Sequence, residues 1–401
     1  MRRQHSYRRA RKIRRRRSIK QSNWWPFLLM GGVVLGILLL VAFVFYFALP
    51  RAAKWLDFEY KAPFLPAATP APTPQPTPTP HPITYFNPSD HTQEVVLEGY
   101  SEYKWLSDPF IYKDKMIICA GKVNQGDKQV HMLHMYWFDA TARTAEQVPL
   151  TPQNAHFMFP KFNEKWLVYL DAKLDGGGAL MAVDLTAATL KPVKIKDIYT
   201  GQPEPMLDGD DVAYIDRTGS KKEKLFVCDL ATMESTVVEM FSGTVYGQSK
   251  PSLSEGRLLW ADAATAEGDS DLSCISYINL SSSIISSYSP GTFVHDPKAS
   301  GNYTAWLSDV HSSSTQLYGV GGLSGKPTLI DSGVVDFGIG SDFVAYSRGE
   351  SIYVYMFETG DIYRITHDYE YAQFLGVSGD YVMWMDVTSR ERDIVKYVAI
   401  P

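Results

Sequence analysis

A unit typified by residues 210–240 recurs about seven times along the chain, and this repetition constrains the fold more than any other feature. In this copy, residues 212–216 place alternate side chains on two faces, which is typical of a β-strand. Residues 218–222 (Thr-Gly-Ser-Lys-Lys) supply a polar turn, and the apolar run 225–230 follows it. No apolar spacing of three and four persists for two helical turns, so the unit is predicted to contain strands and no helix.

An aromatic residue in the second strand of the unit sets the period. It is Tyr or Trp in six copies and is replaced by cysteine in an imperfect first copy: Cys119, Tyr169, Tyr214, Trp260, Trp306, Tyr346 and Trp384. Successive gaps are 50, 45, 46, 46, 40 and 38 residues. A period of this length with several strands per unit indicates the blades of a β-propeller, with the Tyr and Trp side chains packed between adjacent sheets.

Two further landmarks keep the same phase. A tight turn with glycine precedes the aromatic strand, as in Asp208-Gly209-Asp210, and the third strand ends in Asp or Asn, as in Cys228-Asp229-Leu230. Over roughly residues 100–400 these elements resemble the WD40-like (PD40-like) repeats of TolB-type propellers. The resemblance implies a β-propeller, and the count of the repeats predicts an all-β, seven-bladed β-propeller, with six or eight blades as alternatives. The usual Ser-Pro-Asp-Gly turn is degenerate here, so the resemblance does not predict that this protein binds the partners of TolB.

The last repeat stops after its third strand, residues 394–400. An unused strand, residues 94–98, precedes the first blade. Pairing the two would complete the last blade and cover an exposed edge. The propeller is therefore predicted to span residues 92–401 and to be closed by its N-terminal strand.

The N-terminal region predicts a membrane anchor. Residues 1–23 are expected to form a basic, disordered cytoplasmic tail. Residues 1–20 hold eleven Lys or Arg and no acid, and residues 21–401 have a net charge of −16. Residues 24–50 are predicted to be a transmembrane signal anchor, because residues 27–49 are 23 uncharged residues that span the bilayer as a helix. The charge asymmetry places the N-terminus in the cytoplasm and the propeller outside, as a single-pass protein of the cell membrane.

A proline-rich stalk is expected between anchor and propeller, at residues 51–91. Residues 63–82 contain nine prolines, which favour an extended polyproline-II spacer. The basic tail sets topology, with contact to anionic lipid headgroups as a further role. It lacks the interleaved aromatics or folded module that would indicate nucleic-acid recognition.

The motifs considered for chemistry do not predict catalytic, cofactor-binding or metal-binding residues. Three cysteines in strand-like runs are expected to be buried free thiols. His131 and His134 lie at an odd offset on a predicted strand, so their side chains are expected to point to opposite faces and not to share a metal ion. Residues 269–271 lack the spacing of a calcium loop. Residues 175–178 (Asp-Gly-Gly-Gly) precede no helix and form a hairpin tip, and residues 376–380 (Gly-Val-Ser-Gly-Asp) lack the final Gly of a nucleophile elbow.

The sequence therefore favours a non-enzymatic binding or scaffold module for an extracytoplasmic protein, peptide or cell-envelope polymer. A hydrolase or lyase with its site at the mouth of the propeller channel is the alternative, because each blade can donate one residue there. The binding residues are unknown at this stage. We expect them where the repeats differ, as in residues 122–128, 265–271 and 309–315.

Overall fold

The computed structural model describes residues 83–85, 91–97, 103–122, 131–139, 144–216, 223–241, 249–263, 272–282, 284–309, 314–389 and 394–400. All of them belong to one compact unit, Pro78–Pro401. The predicted tail and transmembrane helix lie outside the described residues, as does most of the predicted stalk. No helix in the described part is long and apolar enough to cross a bilayer.

Every described element is a β-strand, and the alternating patterns of the repeats account for most of them. Two short strands precede the blades: β1 (Ile83–Tyr85) and β2 (Gln93–Glu94). Blades 1 to 3 contain β3 (Tyr103–Tyr112), β4 (Lys115–Lys122), β5 (His131–Asp139), β6 (Thr144–Gln147); β7 (His156–Phe162), β8 (Trp166–Ala172), β9 (Gly178–Asp184), β10 (Val193–Ile198); β11 (Met206–Asp208), β12 (Asp211–Asp216), β13 (Lys224–Asp229) and β14 (Glu234–Met240).

Blades 4 to 7 continue the same order. They contain β15 (Ser252–Ser254), β16 (Arg257–Ala263), β17 (Leu272–Asn279), β18 (Ile285–Thr292); β19 (Val294–Ser300), β20 (Tyr303–Asp309), β21 (Thr315–Gly321), β22 (Thr328–Ser332); β23 (Val334–Ile339), β24 (Phe343–Arg348), β25 (Ser351–Met356), β26 (Ile362–Arg364); and β27 (Ala372–Ser378), β28 (Tyr381–Asp386) and β29 (Ile394–Ala399). Consecutive strands within a blade pair antiparallel. The seven-bladed β-propeller is confirmed.

The hydrophobic core consists of seven clusters, and each joins two adjacent blades. In one of them Trp306 of blade 5 packs with Leu259 and Ile275 of blade 4. In the next, Tyr346 of blade 6 packs with Leu317 of blade 5. All seven second-strand residues that set the repeat period are buried to 2% exposure or less. The predicted role of these residues between sheets is confirmed.

The ring closes through the N-terminal strand, as predicted. β2 pairs antiparallel with β29, with Gln93 opposite Tyr397, and the Val95 N–H donates to the Val395 carbonyl at 2.9 Å. The paired segment starts one residue earlier than the predicted strand and is shorter. Leu97, just beyond it, is buried in the cluster that joins blades 7 and 1. Closure therefore combines a short hydrogen-bonded edge with an apolar anchor.

The turns follow the chemistry predicted for the repeat. Gly209 has φ of 57° between the first two strands of blade 3, a conformation that glycine adopts at little cost. At the ends of third strands, the Asp184 carboxylate accepts from the Thr186 N–H, and the Asp229 carboxylate accepts from the Ala231 N–H, both at 2.8 Å. These recurring polar residues build the scaffold.

Candidate functional site: the mouth of the channel

The two faces of the ring are distinguished by strand direction. We call "mouth face" the one at which the innermost strands (β3, β7, β11, β15, β19, β23 and β27) begin and the second strands end. The opposite face carries the turns between first and second strands. Because strands alternate in direction, the loops that enter each blade and the second-to-third-strand hairpins all lie at the mouth face.

One position per blade forms what we call the mouth ring. In each blade this position lies on the first strand or just before it, four residues before the last residue that pairs with the second strand. Its occupants are Asp108, Phe159, Glu204, Lys250, Asp296, Asp336 and Phe374. In blades 1 to 5 a proline follows it, and all five prolines are buried: Pro109, Pro160, Pro205, Pro251 and Pro297. The prolines recur with the period of the second-strand aromatics. They were the signal in the sequence that locates the ring.

Three ring residues hold a backbone conformation that L-amino acids rarely adopt. Asp108, Phe159 and Asp296 have φ values of 50°, 52° and 48°. Each lies where the register between first and second strands shifts, at a β-bulge. Bulges redirect side chains, and strained residues concentrate at functional sites. The bulges therefore mark the ring as a specialised position.

Glu204 joins three blades through charge. Its carboxylate accepts from the Lys161 ammonium of blade 2 at 2.7 Å and from the Lys250 ammonium of blade 4 at 2.8 Å. Burial would raise the pKa of Glu204, but the charges and hydrogen bonds of the two lysines outweigh it and lower the pKa. The side chain of Lys250 is 50% exposed, against 15% for Glu204. Lys250 can therefore also contact a ligand.

His295 lies at the mouth face on the first strand of blade 5, between two carboxylates. Its Nδ1 is 2.9 Å from Asp296 Oδ2, and its Nε2 is 3.4 Å from Asp309 Oδ2. Burial would lower the pKa of His295, but the hydrogen bond and charge of Asp296 together with the charge of Asp309 raise it. The described residues contain no group of three His, Cys, Asp or Glu side chains arranged to hold a metal ion. This cluster can bind or move a proton.

Two further charges near the channel are largely withdrawn from solvent. Lys298 donates to the Phe337 carbonyl of blade 6 and lies 3.8 Å from Asp336, and burial lowers the pKa of its ammonium. Burial raises the pKa of Asp108, and the negative charge of Glu204 contributes in the same direction. Lys298 therefore links blades 5 and 6 as Glu204 links blades 2 to 4.

A cavity of about 440 Å³ opens beside Glu204 and Lys250. Apolar groups of Phe159, Ile215 and Pro251 line part of it. A second cavity of about 550 Å³ lies at the opposite face between blades 1 and 2, and it is lined partly by aromatic side chains that pack between these blades: Tyr112, Trp137 and Phe162. The first cavity thus combines apolar walls with half-exposed charge, which is the usual composition of a binding pocket.

Exposed aromatic side chains mark the mouth face. Among the described residues, four large aromatic side chains are exposed, and all four lie at this face: Trp105, Tyr199, Tyr369 and Tyr371. Tyr369 is the most exposed of them, at 90%. Val335 and Val387 add exposed apolar surface on blades 6 and 7. Exposed Tyr and Trp at the end of a rigid scaffold are typical of binding surfaces.

The residues considered above as candidates for chemistry lie in the strands and turns of the blades. Cys119, Cys228 and Cys274 are free and buried, as predicted. His131 and His134 lie on β5 at an odd offset, and Gln147 contacts the His134 ring at 3.2 Å. Residues 175–178 form the hairpin between β8 and β9.

The Ser378 hydroxyl donates to the Ile111 carbonyl across the junction of blades 7 and 1. Of the three variable stretches, residues 265–271 and most of the other two lie outside the described residues. Asp309, the first residue of the third stretch, belongs to the His295 cluster. The sequence did not reveal the convergence of Lys161, Glu204 and Lys250, because the three residues lie in three different repeats.

Solved structures that contain a β-propeller are similar to this chain. The β-propeller domain of the Trilobed protease from Pyrococcus furiosus, which has an open velcro topology, is similar at a TM-score of 0.57 and 14% identity over 74% of this chain and 95% of that chain. The Pyrococcus horikoshii acylaminoacyl peptidase is similar at 0.53 and 12%, over 72% of this chain and 50% of that chain. TolB from Acinetobacter baumannii also matches, at 0.39 and 11%, over 73% and 78%.

The similarity concerns the fold alone, because identity is low. The β-propeller fold implied by the resemblance to TolB-type propellers is confirmed. This chain spans about half the length of the acylaminoacyl peptidase that it matches. In contrast to the open velcro of the Pyrococcus furiosus domain, blade 7 is completed here by β2. No protein-family model matches the sequence. A search of curated proteins also gave no match.

Proposed function

We propose that this protein is a membrane-anchored, extracytoplasmic binding module whose mouth face holds a protein or peptide partner. The observation that carries the proposal is the placement of all four exposed aromatic side chains of the described part at one face. Tyr and Trp supply most of the energy in protein interfaces because they bury large areas with little loss of side-chain entropy. The partner would lie across the mouth face and contact these aromatic side chains.

The charged part of the mouth supports the same function. Lys250 is half-exposed above a cavity with apolar walls, so it offers a partner a positive charge beside an apolar pocket. The Glu204 carboxylate holds this ammonium in place, which reduces the side-chain entropy that is lost on binding. In this proposal the aromatic residues contribute affinity and Lys250 contributes orientation.

Membrane attachment is the second part of the proposal. It is supported by the uncharged stretch 27–49, the basic residues before it and the proline-rich residues 63–82. A stiff stalk would hold the propeller off the bilayer, where a partner protein or envelope polymer is accessible. Protease protection of the tail in sealed vesicles, with cleavage of the propeller from outside, tests this orientation.

Site-specific photo-crosslinking tests the binding face. A photoreactive amino acid replaces Tyr369 at the mouth face or Ile284 at the opposite face, in the full chain within its own envelope. Both positions are highly exposed, so the pair controls for non-specific labelling. We expect a discrete adduct from position 369 that is lost when Tyr371 is also replaced by alanine. Adducts from position 284 alone would contradict the proposal.

A hydrolase or lyase at the channel mouth is the second candidate, and the His295 cluster favours it. An imidazole held between Asp296 and Asp309 is fixed in orientation, and the two carboxylates raise its pKa, so the protonated ring could act as a general acid. The full chain would be incubated with ester, amide and glycoside substrates. Turnover that His295→Gln abolishes and His134→Gln preserves would support this candidate. The absence of turnover in the wild type would remove it.

A further inference from the structure

Strand β1 shows where the N-terminal segment meets the ring. It pairs in parallel with β26, the outermost strand of blade 6, with Ile83 opposite Ile362 and Tyr85 opposite Arg364. Blade 6 is thus a five-stranded sheet, whereas the other six described sheets have four strands. The sequence assigned Ile83–Tyr85 to the stalk. In the structure this segment belongs to a blade.

The parallel pairing fixes the direction of the chain at this edge. Fourth strands run from the opposite face toward the mouth face, because they follow three strands of alternating direction. The turn at Glu358 precedes β26 at the opposite face, and His367 follows it at the mouth face. β1 runs in the same direction as β26. Ile83 therefore lies toward the opposite face, and Tyr85 lies toward the mouth.

The local sequence limits the pairing to this short segment. Pro82 lacks a backbone N–H and directly precedes β1, and Pro88 follows it by three residues. Between them lies the run Ile-Thr-Tyr-Phe, whose residues favour strands. An uncovered edge such as that of β26 is open to unwanted strand pairing, and β1 covers it.

We infer that β1 is a clasp that fastens the start of the propeller unit to the edge of blade 6, with Ile83 at the end of this edge that lies toward the face opposite the mouth. This inference rests on the pairing of β1 and does not depend on the binding function.

Distances between spin labels in the full chain test the clasp. One label is placed at His81→Cys, and the second at Glu358→Cys on the opposite face or at Glu350→Cys on the mouth face of the same blade. Both glutamates are exposed, and the three native cysteines are buried. β25 separates the two glutamates, so we expect the 81–358 distance to be shorter by on the order of 10–20 Å. Equal distances, or a shorter 81–350 distance, would overturn the inference.

A pair of double variants tests whether β1 itself sets this distance. Thr84→Pro with Tyr85→Pro removes two consecutive N–H groups, and since these alternate in direction, one of them faces β26. The 81–358 distribution should broaden and lengthen. The matched control, Thr77→Pro with Thr79→Pro, lies upstream of β1 and should leave the distribution unchanged. An unchanged distribution in the β1 variant would overturn the clasp. Neither result depends on whether the mouth face binds a partner.

Discussion

The core between the blades and the mouth of the channel come from the same seven repeats, but they use repetition in opposite ways. At the second-strand position, six of seven repeats place Tyr or Trp, and every occupant is buried. At the mouth ring the seven occupants include acids, a lysine and two phenylalanines. Repeated residues therefore build the ring, and residues that differ between repeats give its mouth a particular surface.

The reason for the difference is physical. Each second-strand side chain fills a similar space between two sheets, and dense packing tolerates little change in volume. At the mouth ring, β-bulges constrain the backbone of several blades, whereas the side chains differ from blade to blade in size and charge. A protein with this fold can change its ligand by changing the ring and the mouth loops without disturbing the core.

Removal of the closing strand should have the largest effect on the core. Deletion of residues 92–99 removes Val95 and Leu97, two buried apolar side chains worth about 1.5–3 kcal/mol each, and it reopens the ring. We expect a sharp fall in the melting temperature. Deletion of residues 63–70, an equal length of the proline-rich segment, is the control and should leave it unchanged. Equal melting temperatures for the two deletions would contradict closure by β2.

Two tryptophans allow a direct comparison of core and mouth. Trp306→Ala removes a buried side chain between blades 4 and 5 and should lower the free energy of unfolding by about 3–5 kcal/mol. Trp105→Ala removes a half-exposed side chain at the mouth and should cost about 1 kcal/mol or less. Chemical denaturation measures both. Similar losses in the two variants would mean that the mouth residues are structural as well.

Glu204 tests whether the charged ring contributes to stability. Glu204→Gln leaves Lys161 without its counter-charge in a buried position and should cost about 2–4 kcal/mol at neutral pH. Because the pKa of Glu204 is lowered in the fold, its contribution is present above its ordinary pKa and is lost as the pH falls through the folded value. The difference between wild type and variant should therefore shrink in acid. A difference that is independent of pH would exclude the ion pairs as its source.

His295 should show the opposite pH dependence and a smaller effect. Its pKa is raised in the fold, so the stabilisation is present below the ordinary pKa of histidine and is lost as the pH rises through the folded value. Replacement by Gln should lower the free energy of unfolding by about 1 kcal/mol below the ordinary pKa of histidine, and by less above the folded pKa. Unfolding of both proteins between pH 5 and pH 9 measures the change. A constant difference would show that the Asp296 and Asp309 contacts do not depend on charge.

Much of the scaffold follows from local pattern. The second-strand aromatics, Gly209 and its counterparts, and the strand-ending Asp184 and Asp229 each perform the predicted task. The closing strand was predictable because the last repeat lacked a fourth strand. These features involve residues that are near in sequence or recur at a fixed interval.

The mouth could not be derived in the same way. Lys161, Glu204 and Lys250 lie in three different repeats and meet only when blades 2, 3 and 4 pack together. The buried prolines beside the ring recur in the sequence, but their meaning depends on which end of the inner strand they occupy. The pairing of Ile83–Tyr85 with β26 joins a three-residue segment to a strand 279 residues later in the chain. No local pattern specifies such a contact.

The central claim, that the mouth face is the binding face, is tested most directly by the dissociation constant of the partner captured by photo-crosslinking. The double variant Tyr369→Ala with Tyr371→Ala removes exposed aromatics at the mouth, and Ile284→Ala with Ile285→Ala removes exposed apolar residues at the opposite face. We predict a rise in Kd of at least about tenfold for the first and no change for the second. Equal affinities for wild type and the Tyr variant, or a loss confined to the Ile variant, would contradict the account.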